Sequence, residues 1–393
     1  MNRELEISLM RNTWSGPIPP EIAGLGGKWQ VDIREVLLHL AIWTRPPTVT
    51  GLDLSDCWAW LRYARALDPG PPLRLCQEWS NIDAHQKVIL SDDFGIGFPT
   101  CLLIQKLDYC LFAETRFVVD ILLKGRGPFV LLKGKKRGPA KAPDFIGLAT
   151  DGSLNILECK GSQDSPDALD KAMARGIVQK NNFKAAGSSP IRHSLVGGVF
   201  VPQNSSGSDS LLRLCDPKRV ELSQLLKASS PVALRTTLIR IALAKHLALM
   251  NLNTWATVIA SSALVAGTSL RNVAPNAEEE LKLLELSQDD AYAFAHRLRT
   301  PFRNERDSRV RSSSTRFVAD ANRNLLDDLL QTPDLLRRIA RLWEQVVETR
   351  WKTQVHNDTL TLFSPLGFRF SLSTQGADGL GKGYRNTFRP TEV

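Results

Sequence analysis

The chain has little of what marks a metal knuckle or a disulfide scaffold. Its cysteines, Cys57, Cys76, Cys101, Cys110, Cys159 and Cys215, form no C-x-x-C pair and are scattered through 393 residues. That spacing argues against a zinc site and suits reduced thiols in a cytoplasmic protein. The histidines, His39, His85, His193, His246, His296 and His356, show no ligand spacing either. No Walker loop and no G-x-S-x-G elbow occurs, so neither a P-loop motor nor an α/β-hydrolase is expected. Asp93-Phe94-Gly95 matches the kinase metal triplet, but no Gly-rich loop or H-R-D segment accompanies it. There is no internal repeat. The stretch Leu247 to Gly267 lacks charge but carries Asn251, Asn253, Thr254 and Thr257, so a buried helix is expected rather than a membrane span. The opening segment MNRELEISLMRNTW has early acids and no apolar core, so no secretory leader is expected.

What is present is a chain long enough for two or three domains, with 43% hydrophobic and 23% charged residues. Lysine plus arginine number 50 against 41 acids, a formal charge of +9. That excess suits a polyanionic partner without requiring one.

Residues 1–90 read as a helical accessory region: Val31 to Trp43 has helical spacing and is stopped by Arg45-Pro46-Pro47. Ser91 to Pro99 (SDDFGIGFP) reads as a turn cluster, followed by a helix over Thr100 to Leu123. Then come a strand over Pro128 to Leu132 and a basic loop from Gly134 to Ala142. Asp144 to Thr150 and Leu154 to Lys160 read as a hairpin about Asp151-Gly152-Ser153. A helix over Asp164 to Ala186 and a strand over Ser194 to Val201 complete a segment, 91–205, ordered helix, three strands, helix, strand. Residues 206–393 read as mainly helical, with a mobile basic stretch at Arg297 to Arg316 and a terminal hairpin over Thr359 to Ser373.

The residues that carry chemistry are Pro143-Asp144 and Glu158-Cys159-Lys160. Side chains alternate along a strand, so Glu158 and Lys160 share a face, and the hairpin brings Asp144 alongside. Two carboxylates and an ammonium at one sheet edge suit phosphodiester hydrolysis: hard oxygen donors hold a divalent cation, and the amine serves the water and the phosphate. The alternative is a turn aspartate beside a cross-strand surface pair.

This pattern resembles the PD-(D/E)XK nuclease superfamily, over about Pro99 to Pro202, with PDF at 143–145 and LECKG at 157–161. The resemblance implies an α/β protein with a restriction-endonuclease-like core and mainly helical N- and C-terminal additions. It implies Mg²⁺, with Mn²⁺ as the alternative, held by Asp144, Glu158 and the main-chain carbonyl of Cys159. Lys160 would serve the water. It also points to an assisting glutamate on the first helix, matched here by Glu114. A Gln-x-x-x-Tyr on the later helix is matched by Gln179, with Phe183 in place of the tyrosine. The expected partner is DNA, with RNA as the alternative and a protein partner or second copy left open; no membrane is expected. Lys133, Lys135, Lys136, Arg137, Lys141 and Lys180 are candidate phosphate contacts. The biological setting expected by analogy is defence against phage or plasmid DNA, or repair. The rival reading is a non-cutting nucleic-acid-binding or scaffold subunit.

Overall fold

Leu5 and Ile7 alternate with Glu4 and Glu6 at the N-terminus, the pattern of a half-buried strand, and Asn2–Leu9 forms β1 with those two side chains in the core. The computed structural model describes residues 1–393 except 15, 48–62, 64–65, 123–128, 132–141, 182, 186–190, 217–230, 287–290, 305–306 and 376–393. β2 (Gly27–Asp32) lies antiparallel to β1. Asp32 then caps α1 (Ile33–Thr44), its Oδ1 accepting from the Arg34 N–H at 2.9 Å. The region expected to be helical therefore also supplies two sheet strands.

α2 (Ala84–Leu107) runs straight through the segment read as a turn cluster. Gly95, Gly97 and Pro99 sit inside it because the helix is pressed against its neighbours, not because the chain turns. At Asp108 the backbone becomes left-handed (φ 55°) and α2 ends. β3 (Tyr109–Glu114) follows, where a mostly helical segment to Leu123 was expected. Tyr109 to Ala113 are all buried, so both faces are apolar and periodicity cannot separate strand from helix. β4 (Phe129–Leu131), expected as the first of three central strands, instead pairs with β7 (Phe183–Ala185) in a small two-stranded sheet.

β3, β5 (Phe145–Ala149) and β6 (Leu154–Ser162) run antiparallel in that order. Gly152 adopts φ 82° in the turn between β5 and β6, and Asp151 Oδ1 accepts from the Ser153 N–H at 2.8 Å. α3 (Pro166–Asn181) crosses over to β8 (Ile191–Phe200), which is parallel to β6. β9 (Leu211–Cys215) returns beside β8 and pairs parallel to β1. The result is one mixed seven-stranded sheet, ordered β2-β1-β9-β8-β6-β5-β3.

α3 packs on one face, where Leu169 and Met173 meet Val196 and Phe200. The other face is covered by α1, α2 and α4 (Pro231–Leu249), which form one apolar core with it. α2 is the one helix among the described residues long and apolar enough to cross a membrane, and it lies in this core. α4 stops at Asn251, which is left-handed (φ 63°), and α5 (Asn253–Ala260) follows.

Among the described residues the C-terminal part is not mainly helical. α6 (Arg323–Gln331) and α7 (Leu335–Glu348) accompany a six-stranded antiparallel sheet. Its strands are β10 (Glu285–Leu286), β11 (Ala291–Asn304), β12 (Asp307–Asn322), β13 (Lys352–His356), β14 (Thr359–Phe363) and β15 (Phe368–Gln375). The hairpin read over Thr359 to Ser373 is β14 and β15. The basic stretch read as mobile forms the arms of β11 and β12, with Arg297 opposite Arg316. Thr300, Phe302, Val310 and Thr315 are strand formers, and their partners lie across the hairpin, where a local reading does not look.

Candidate active site

β5 begins just after Asp144, and Phe145 pairs with Leu157, so Asp144 comes level with Glu158. Two hydrogen bonds lock this end of the hairpin. Asp144 Oδ2 accepts from the Cys159 N–H at 2.7 Å, and the Asp144 N–H donates to Glu158 Oε2 at 3.2 Å. Each acid is thus fixed by the other's strand. Lys160, two residues along, pairs with Glu158 Oε1 on the same face. Cys159 points the other way and is buried.

α3 lies over this face. A Cβ on Gly176 would sit 3.0 Å from Glu158 Cγ and 3.2 Å from Lys160 Cε, so the glycine lets the helix lie tightly on both side chains. Glu158 is fully buried, while the Lys160 side chain keeps 19% exposure and is the member of the pair that reaches solvent. Burial and the neighbouring Asp144 charge push the Glu158 carboxyl up to about 8, against the pull of Lys160. Burial also raises Asp144, opposed by Lys160 and the Cys159 N–H. For Lys160 burial works against the charge, but Glu158 and Asp144 outweigh it and hold the ammonium charged.

A third acid arrives from α2. Asp92 interacts electrostatically with both Lys160 and Asp144, and its own pKa is raised by partial burial. Its placement depends on an unusually close crossing. A Cβ on Gly161 would fall 1.7 Å from the Ser91 carbonyl oxygen, and one on Gly95 would fall 2.6 Å from the Lys160 carbonyl carbon. Gln163 fastens the same crossing: its amide donates to the Lys87 carbonyl at 2.6 Å and to Ser91 Oγ at 2.9 Å. The sequence reading missed Asp92 and Gln163. The available signal was the Asp-Asp ahead of Gly95 and Gly97, which a turn assignment hid.

Glu114 is not part of this cluster. It ends β3 rather than lying on a helix, and it pairs with Phe145, on the sheet face opposite Glu158. There its Oε1 binds Lys245 of α4, whose Nζ also donates to the Trp43 carbonyl at 2.6 Å. Lys180 is not a phosphate contact either. It is buried, with its Nζ donating to the Ser194 carbonyl and to Asp216 Oδ1. Gln179 is half-buried one turn beyond Gly176. Lys133, Lys135, Lys136, Arg137 and Lys141 lie outside the described residues. Lys171 and Arg175 are exposed on α3. A cavity of about 100 Å³ between Glu21, Tyr109, Arg192 and His193 lies at the opposite end of β5 and β6 and takes no part in the cluster.

No protein-family model, no curated protein and no solved structure matches this chain. The functional reading therefore rests on the geometry of the site.

The donor set suits a hard divalent cation. Two carboxylates held within one hairpin, in a buried place that resists their ionisation, gain most from a cation that neutralises both. Cys159 follows Glu158 directly, and its N–H already holds Asp144.

Proposed function

We propose that this chain is a metal-dependent nuclease that hydrolyses DNA phosphodiester bonds, and that α2, β3, β5, β6, α3 and β8 form a restriction-endonuclease-like core. The observation that carries the reading is the reciprocal lock between Asp144 and the Glu158-Cys159 strand, with Lys160 beside it. The connectivity supports it: three antiparallel strands, a crossover helix, and a strand parallel to the third.

In this reading Asp144, Glu158 and the Cys159 carbonyl hold Mg²⁺. When bound, the ion polarises the phosphate and lowers the pKa of water on it. The protein's own contribution is positional. Asp144 is oriented by the Cys159 N–H and Glu158 by the Asp144 N–H, and a bound cation would take the place of Lys160 at Glu158 Oε1. Lys160 is kept charged and solvent-facing, which suits it to hold the attacking water and to offset charge on the phosphate. Asp92 supplies a carboxylate from the helix side, the role that the resemblance gave to Glu114. Phosphate contacts by exposed cations such as Lys171 and Arg175 would make binding sequence-blind and salt-sensitive.

The test is plasmid incubated with the full chain and Mg²⁺. Cleavage is expected and should vanish in EDTA. Asp144→Asn, Glu158→Gln and Lys160→Met should each lower the rate by at least ~100-fold, and Asp92→Asn by about tenfold. Nicking that persists unchanged in the first three variants would remove the activity from this site. A full chain that binds DNA but never cuts it would mark a scaffold subunit.

A further inference from the structure

The cysteine and histidine spacings argued against zinc, but the fold assembles a mixed donor set across two helices. Glu35 and His39 stand four residues apart on α1, hence on one face. α2 crosses that face closely, for a Cβ on Gly97 would sit 3.1 Å from Val36 Cγ1. This crossing brings Cys101 of α2 in, so that a carboxylate oxygen, an imidazole nitrogen and the thiol sulfur lie within 4.8 Å of one another, all three residues buried.

Two observations set this group apart from ordinary core residues. First, His39 is fully buried, yet among the described residues neither of its ring nitrogens has a hydrogen-bond partner. His246, which shares the aromatic packing around Trp351, shows what a satisfied core histidine looks like in this fold. Its Nδ1 meets the Ala242 carbonyl at 2.6 Å and its Nε2 meets Ser364 Oγ at 2.8 Å. Both His246 nitrogens are committed, so it cannot serve His39. Second, Glu35 is held as a metal-binding carboxylate would be. Thr353 Oγ1 donates to its Oε1 at 3.0 Å, and Gln105 also bonds it. The Gln105 carbonyl is in turn fixed by Trp29 Nε1 at 3.1 Å. Such an outer shell orients a carboxylate ligand.

We propose that Glu35, His39 and Cys101 bind a structural zinc ion that clamps α1 to α2, with a water completing the tetrahedron. One oxygen, one nitrogen and one sulfur donor suit a borderline-soft ion and not Mg²⁺. On binding, the Cys101 S–H bond breaks, a sulfur–zinc bond forms and the proton leaves to solvent. Zinc with one thiolate and one carboxylate then sums to zero charge, which an apolar core accepts. The unmet His39 nitrogen that faces the group becomes a ligand. The clamp also fixes the helix that carries Asp92, but it does not depend on the nuclease reading.

The experiment uses the full chain. Purified from zinc-supplemented medium and dialysed, it should retain about one zinc ion per chain by mass spectrometry of the metal. Asp144→Asn should retain the same amount, while Cys101→Ser and His39→Gln should lose it. Because those two variants could fail for want of folding, the wild-type protein is also loaded with Co²⁺. A thiolate-to-cobalt charge-transfer band in the near ultraviolet, with the intense visible bands of a tetrahedral ion, is the expected signature. A cobalt-loaded wild type without the thiolate band would overturn the proposal. So would zinc retained undiminished in folded Cys101→Ser.

Discussion

Glu158 carries the strongest electrostatic conflict in the cluster, and that conflict can be measured without substrate. Its pKa rises from 4.5 to about 8 in the folded protein, through burial and then Asp144. The folded state therefore keeps a proton that the unfolded chain gives up between those values. Its contribution is intact below 4.5 and is lost as pH rises to about 8, at ~1.4 kcal/mol per pH unit at most. In EDTA, Glu158→Gln should melt higher than wild type at pH 8.5 and close to it at pH 4.5. The difference between the two melting profiles reports Glu158 together with the Asp144 and Lys160 charges it is coupled to. Burial holds His39 and His246 near 3, so they lose stability in the other direction, as pH falls below 6.5, and they cancel in the difference. A variant whose profile runs parallel to wild type would mean that Glu158 is not strained by its surroundings. Asp144, Glu158 and Lys160 were legible in the sequence because a two-strand hairpin is a local object: alternation and one Asp-Gly turn place all three. Glu114 and Lys180 were misjudged because their partners, Lys245 and Asp216, are 131 and 36 residues away and leave no local trace.

Elements here are positioned by close approach as much as by apolar burial. α2 touches β6 through backbone alone at Gly95 and Gly161, and this contact decides where Asp92 lands. Gly161→Ala should be the most damaging single methyl in the site. With 1.7 Å from the new Cβ to the Ser91 carbonyl oxygen, α2 has to lift or β6 has to bend. Loss of cleavage is expected together with about 1–3 kcal/mol of stability, the range for overpacking a filled interior. Gly16→Ala is the control, since a Cβ there meets nothing within 4 Å. Denaturant melts and plasmid cleavage on the pair would settle it, and equal behaviour of the two variants would refute the crossing. The same glycines explain why α2 was hard to read. SDDFGIGFP has the composition of a turn, and its helical state depends on β6, β8 and α1 packing around it; Pro99, for one, fills the space beside Gly197. The strand read as a helix, β3, failed for the opposite reason: it is apolar on both faces, and no period survives in a segment that is wholly buried.

On the scale of the whole molecule, the segment 91–205 looked separable in the sequence and is not separable in space. Its last strand, β8, is paired on its outer edge to β9, and β9 to β1, so the sheet is closed on that side by residues from both flanking regions. Its other face is buried under α1 from the N-terminal region and α4 from the C-terminal region. β3 also depends on Lys245 of α4 to pair Glu114. Cutting at 91 and 205 would remove most of the first two turns of α2, including the Lys87 carbonyl that Gln163 grips. It would also expose the β8 edge and strip away the helix whose Lys245 covers and pairs Glu114. The apolar face that α1 and α4 cover would be exposed as well. The fragment 91–205 is therefore expected to show no cooperative thermal transition and no cleavage, while the full chain shows both. A fragment that melted cooperatively and still cut plasmid would mean that the flanking strands and helices are additions to a self-sufficient core, and that the seven-stranded sheet is not the unit that holds the site together.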